Sequence, residues 1–141
     1  MNVHFSSKTD DWATPQHVYD YWNEIYDFQL DAAASSINHK APQWYGLDHP
    51  EESRRDGLMG EWSGPTWLNP PYGRVIGAWI QKAHKESEDN PVILLLPART
   101  DTQWFHTYCM QHKVTFIKGR LKFGDAKNSA PFPSMIVEMG I

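Results

Sequence analysis

Residues 66–97 read TWLNPPYGRVIGAWIQKAHKESEDNPVILLLP, and this stretch decides the fold. Thr66-Trp67-Leu68 makes a brief strand, and Asn69-Pro70-Pro71 stops it because neither proline can donate to a ladder. Val75, Ile76, Trp79, Ile80 and Ala83 then recur at helical spacing, which predicts a helix over Arg74–Glu86. Val92–Leu96 is an unbroken apolar run between Pro91 and Pro97, the pattern of a strand covered on both faces. Strand, helix, strand in this order implies a right-handed crossover and a parallel sheet.

The flanks extend the same pattern. Thr14-Pro15 is a helix-start signal, with threonine as the N-cap and proline at the first helical position. Val18, Tyr21, Trp22 and Ile25 share one face of a helix over Pro15–Tyr26. Phe28–Asp31 reads as a strand that delivers Asp31 to its carboxyl end, ahead of Ala32–Ser36. Residues 38–64 are polar and broken by Pro42, Gly46, Pro50, Gly57 and Gly60, so mostly loop with short pieces is expected. Trp104, Phe105, Tyr108 and Cys109 predict a helix over Asp101–His112. Strands are expected at Val114–Lys118, Leu121–Phe123 and Met135–Met139, the first two joined through Gly119 as a hairpin. The sum is a small α/β sandwich in one domain over residues 1–141. Ligands of such open sheets sit beyond the carboxyl ends of the strands, where Asp31, Asn69 and Arg99 fall.

Composition bounds the function classes. A chain of 141 residues has room for one core, so a separate recognition domain does not fit. The single cysteine, Cys109, excludes a disulfide framework and a cysteine-based zinc site, and the seven histidines show no ligand spacing, so no metal is expected. No apolar run approaches the ~20 residues of a membrane span, and the start of the chain lacks a signal-peptide core, which points to a soluble cytoplasmic protein. The net charge of -4 argues against a nucleic-acid partner, but its distribution does not. Residues 1–62 hold eleven acids against four bases, whereas Lys113, Lys118, Arg120, Lys122 and Lys127 face only Asp125 in their stretch. That basic stretch reads equally as a solvated face or a phosphate-binding edge.

Asn69-Pro70-Pro71-Tyr72 maps onto one chemical problem, making nucleophilic an amino group whose lone pair is delocalised. The Asn69 side-chain carbonyl and the following backbone carbonyl can each accept one N–H of such a group, which turns its lone pair toward an incoming methyl. Pro70 and Pro71 hold that backbone rigid. Tyr72 offers a ring for a flipped-out planar base, a contact worth roughly 1–3 kcal/mol. As a bare string the four residues read equally as a strand-ending turn with a core tyrosine. Their place between a strand and a helix favours the chemical reading. Trp67, Trp79 and Trp104 read as core.

This string occurs together with Asp11-Trp12-Ala13-Thr14-Pro15, Leu30-Asp31-Ala32-Ala33-Ala34-Ser35, Asp56-Gly57-Leu58, Leu96-Pro97-Ala98-Arg99-Thr100-Asp101 and Gly119-Arg120-Leu121-Lys122-Phe123. In this combination and order, spanning nearly the whole chain, the sequence resembles the phage-type DNA N6-adenine methyltransferases. The resemblance implies a compact Rossmann-like S-adenosylmethionine-dependent methyltransferase sheet with helices on both faces and an antiparallel C-terminal hairpin. It implies a cofactor pocket of Trp12, Thr14, Pro15, Asp31, Ala32, Ala33, Ser35 and Asn69, with Asp31 near the charged methionine portion. The glycine-rich turn usual in methyltransferases is absent at Ala32–Ala34. Asp56 would accept from the adenine amino group of the cofactor and Leu58 pack on its ring, though Asp56 reads nearly as well as a plain loop residue.

The resemblance further implies that Arg74, Arg99, Thr100, Asp101, Arg120 and Lys122 contact double-stranded DNA. For Asp101 helix capping is an equal reading, and for its neighbours surface solvation. The reaction implied is transfer of a methyl group to adenine N6 by direct in-line displacement, in a phage protein protecting its DNA from restriction. Methylation of protein glutamine and a catalytically silent DNA-binding relative are the alternatives. A homodimer, whose two edges would suit a palindromic site, is the expected assembly.

Overall fold

A computed structural model of the chain describes residues 12–124 and 126–141. Asp125, Asp11 of the first motif and the remaining residues read for a signal peptide lie outside the described residues. The elements are α1 (Gln16–Tyr26), β1 (Leu30–Asp31), β2 (Gln43–Trp44), a 3-10 turn (Glu52–Arg54), β3 (Thr66–Leu68), α2 (Ile76–Glu86), β4 (Val92–Pro97), a π-helical turn (Phe105–Cys109), β5 (Lys113–Phe116) and β6 (Ser134–Met139). The six strands form one sheet in the order β2-β1-β3-β4-β6-β5. β2, β1, β3 and β4 run parallel, whereas β6 lies antiparallel to both β4 and β5.

The sheet is covered on both faces. All six residues of β4, an apolar run, are buried, and so are all six of β6, Ser134 and Glu138 among them. The register aligns Asp31 with Trp67, Trp67 with Ile93 and Ile93 with Glu138, so these four share one face. There α1 packs: Tyr19 meets the Trp67 ring edge-on at 5.6 Å, and the Tyr26 hydroxyl donates to the Glu138 carboxylate. On α2, Ile76, Trp79, Ile80 and Ala83 are buried, as their spacing predicts.

Four expectations need correcting. First, the helix start: Pro15 is the N-cap, with extended backbone and no side-chain cap, and the Thr14 hydroxyl is taken up by Trp67 and Asn69 instead. Second, the buried face of α1 carries Val18 and Tyr19, with Trp22 and Tyr26 packed against the core, while Tyr21 and Ile25 are exposed. Tyr19 takes the inward place instead because it fills the angle between Trp67 and Phe28. Third, Asp101–His112 is not a regular helix. Its regular core is the π-helical turn, entered through Thr102, whose hydroxyl accepts the Phe105 N–H at 3.3 Å, so Asp101 is not the cap. Fourth, Leu121–Phe123 is no strand and makes no hairpin with β5. β5 pairs with β6, and residues 117–133 connect them as a loop. Leu121 and Phe123 are buried around exposed Lys122, which mimics strand alternation. Their backbone is held by the Ala130 N–H on Leu121 and the Gly124 N–H on Ala13.

Among the described residues no helix is long and apolar enough to cross a membrane, and no cluster of metal-ligating side chains occurs.

Candidate active site

Parallel pairing brings the ends of β1, β2, β3 and β4 to one edge of the sheet. Because β6 is antiparallel to both β4 and β5, the end of β5 and the loop 117–133 reach that same edge. A cavity of about 240 Å³ opens there, over the ends of β1 and β3. Trp12, Thr14, Asp31, Ala32, Ala33 and Ser35 line it, as do Asp56, Asn69, Pro70 and Pro71. Pro15, buried at the head of α1, and Leu58, packed against the core, do not.

Asn69 is oriented by both strand and N-terminal segment. Its Nδ2 donates to the Trp12 carbonyl and, at 3.0 Å, to Thr14 Oγ1. The opposite end of the amide, Oδ1, is shielded from solvent and has no hydrogen-bond partner among the described residues. An enclosed acceptor left unmade costs about 1–3 kcal/mol, a cost that an incoming N–H donor would remove. Pro70, the next residue, also lines the cavity.

Asp31 ends β1 on the cavity floor with 4% of its surface exposed. Its Oδ2 accepts the Lys40 N–H at 3.0 Å. Burial nevertheless dominates and pushes the carboxyl up to about 7, against the lowering effect of the Lys40 amide and ammonium. A nearby positive charge would therefore be strongly favourable here.

The walls come from loops. A Cβ at Gly46 would lie 2.1 Å from the Ala34 carbonyl oxygen, and one at Gly57 would lie 2.2 Å from that of Ala32. The close approach missing from the sequence Ala32–Ala34 is thus provided by glycines on the facing loops. The loop at Ser36 is tied to the one at Asp48 by a hydroxyl donating at 2.6 Å to the Asp48 carboxylate, which lowers that carboxyl below its usual range. Asp56 accepts the Leu58 N–H at 2.9 Å, closing its own turn while still facing the cavity. Arg55 also lines the cavity, its Nε donating to the His49 carbonyl at 2.7 Å.

The chain matches the family described as DNA N-6-adenine-methyltransferase (Dam) over residues 3–137. It belongs to that family. The DNA N-6-adenine-methyltransferase of Escherichia phage T1 is 36% identical over 101 residues, covering 68% of this chain and 39% of the phage protein. That of Haemophilus phage HP1 (strain HP1c1) is 27% identical over 145 residues, covering 93% of this chain and 79% of its own. The aligned part is thus well under half of the first protein's length.

In this Dam-family chain the structure places Tyr72 off the cavity wall. It is buried, its rings edge-on to Phe132 at 5.6 Å and Phe123 at 6.3 Å, and its hydroxyl donates to the Leu95 carbonyl at 3.3 Å. Burial alone raises its phenol well above the usual range. Trp12 packs on the same two phenylalanines at 5.1 and 5.6 Å, so one aromatic cluster joins the cavity rim to Tyr72. Arg74 follows it, exposed, in the turn before α2. Arg99, Thr100 and Asp101 are exposed just past β4, and Arg120 and Lys122 are exposed in the loop 117–133. All six therefore lie beyond strand ends on the cavity side. Sequence reasoning missed Asn38, Tyr45, Gly46, Leu47, Arg55, Gly57 and Trp79 as cavity residues. Two of them carried a signal: a glycine directly after the apolar Trp44-Tyr45 pair and one inside Asp56-Gly57-Leu58.

Proposed function

We propose that this chain transfers a methyl group from S-adenosylmethionine to adenine N6 in double-stranded DNA, and that residues 1–141 act as one catalytic domain. The observation that carries the reading is the Asn69 amide, pinned by its nitrogen and left with an enclosed Oδ1 that has no partner among the described residues, on the wall of the cavity. That oxygen and the backbone carbonyl of Pro70, the next residue, offer two acceptors for the two N–H groups of an exocyclic amine. By holding both protons in the amine plane they leave the nitrogen lone pair facing the cavity.

The cavity's own residues fit the cofactor. Asp31 offers a buried carboxylate to positive charge, Arg55 a guanidinium to a carboxylate, and Ala32–Ala34 with Trp79 an apolar wall for a flat ring. When bound, S-adenosylmethionine supplies an electrophilic methyl on a cationic sulfur. Asp31 balances that charge, and the packed loops around Gly46 and Gly57 exclude water. Asp56, with one oxygen committed to the Leu58 amide, keeps the other for the cofactor's amino group. DNA lies across the strand-end edge, held through Arg74, Arg99, Thr100, Asp101, Arg120 and Lys122, while buried Tyr72 supports the aromatic cluster at the cavity rim. The role in a phage, within the host cytoplasm, is protection of DNA from restriction.

Transfer of labelled methyl to DNA, followed by hydrolysis and chromatography of the nucleosides, tests the reading. Label in N6-methyl-2′-deoxyadenosine supports it. Label in protein glutamine, or none with DNA binding intact, would replace it with glutamine methylation or a silent DNA binder.

A further inference from the structure

Asparagine presents two ends of nearly equal shape, and only one of them can receive an amino N–H. What decides the choice at position 69 is on the N-terminal segment. The Trp12 carbonyl can only accept, so the end of the amide facing it must be the nitrogen. Thr14 Oγ1 accepts from the same nitrogen at 3.0 Å and from the Trp67 indole, an obligate donor, at 3.2 Å. Trp67 is fully buried in β3, two residues before Asn69, so it anchors the threonine to the strand that carries the asparagine. The segment itself is fixed from outside: Trp12 is wedged on Phe123 and Phe132, and the Ala13 carbonyl accepts the Gly124 N–H at 3.0 Å.

We propose that residues 12–14 form an amide-orienting clamp, in which Thr14 is a positioning residue and the Trp12 carbonyl makes position 69 accept asparagine but not aspartate. The proposal rests on the methyl-transfer reading above. An aspartate at 69 would accept an amino N–H as well as an asparagine does, yet it would set a carboxylate oxygen against the Trp12 carbonyl. Only its protonated form restores a donor toward Trp12.

The test is steady-state methyl transfer at saturating S-adenosylmethionine by wild type, Thr14→Val, Thr14→Ser and Asn69→Asp, with kcat and KM separated. Thr14→Val, which removes one of two acceptors of Nδ2, should lower kcat about tenfold with a smaller change in KM for DNA, and Thr14→Ser should recover most of it. Asn69→Asp should lose about a hundredfold or more at neutral pH and regain rate as the pH falls, a limb the wild type lacks. Unchanged kcat in Thr14→Val, or Asn69→Asp equal to wild type at neutral pH, overturns the clamp. Should the wild type itself transfer no methyl to DNA, the functional reading fails instead, and the clamp is judged on nitrogen-15 spectra. Asn69 side-chain protons that Thr14→Val shifts and Thr14→Ser leaves in place support it; protons indifferent to both remove it.

Discussion

Replacing Asp31 by asparagine should stabilise the ligand-free fold while abolishing its response to S-adenosylmethionine. Burial raises this carboxyl from an ordinary 3.8 to about 7. Between those values the folded protein holds a proton that the unfolded chain has released, so stability falls as the pH rises from about 4 to 7 and stays low above. Three pH units at about 1.36 kcal/mol each make a penalty of roughly 4 kcal/mol at pH 8. Asparagine carries no charge, and its carbonyl can still accept the Lys40 N–H now taken by Asp31 Oδ2. Urea unfolding followed by tryptophan fluorescence should therefore show a gain of up to roughly 4 kcal/mol for Asp31→Asn at pH 8, shrinking toward zero near pH 4. The wild type, in turn, should bind S-adenosylmethionine more tightly as the pH rises toward 7, releasing a proton visible by calorimetry in buffers of different ionisation enthalpy. A variant less stable than wild type at pH 8, or one stabilised equally at both pH values, would refute the burial argument. One that kept its cofactor response would refute the charge pairing.

Asn69→Ala should cost about 2.7–4 kcal/mol of transition-state stabilisation while sparing cofactor affinity, so turnover within a few-fold of wild type would sink the mechanism. Saturating S-adenosylmethionine, at a hundred times its Kd, should add about 2.7 kcal/mol to the fold with chelator present, read from thermal melts. Trp12→Ala should shrink that shift. Arg120→Ala and Lys122→Ala should each lower the salt slope of DNA binding by about one unit on any sequence. Arg99→Ala should instead reduce discrimination between target and non-target DNA. Light scattering on the protein with and without DNA should report a homodimer; a monomer in both states would place target reading within a single copy.

The central βαβ unit was legible because its signals are local. Val92–Pro97 needs no neighbour to be recognised as a doubly covered strand, and the α2 spacing holds to within two residues at its start. Asp31 and Asn69 were legible because a strand that halts on a polar residue hands it to the ligand edge. What escaped depends on tertiary approach. Tyr19 turns inward because of Trp67, far along the chain, and Leu121–Phe123 alternates like a strand while plugging the floor beneath Trp12. The glycine contacts at Ala32 and Ala34 could not be read from β1, since the glycines lie on other loops. Tyr72 shows both halves of the lesson: its motif is recognisable in sequence, but its burial among Phe123 and Phe132 is not.

The position of β6 between β4 and β5 governs when this sheet can be completed. β6, the last strand among the described residues, is an interior strand of the sheet, and among these residues β5 joins the ladder only through it. On the ribosome, β4 must therefore wait with one apolar edge open, and β5 with no strand partner at all, until residues 134–139 have emerged. Loop closure over residues 117–133 then completes the sheet and seats Phe123 and Phe132 against Trp12 in the same event. Synthesis of β6 is thus also the step that assembles the rim of the cavity, and until then the nascent sheet presents an open, aggregation-prone edge.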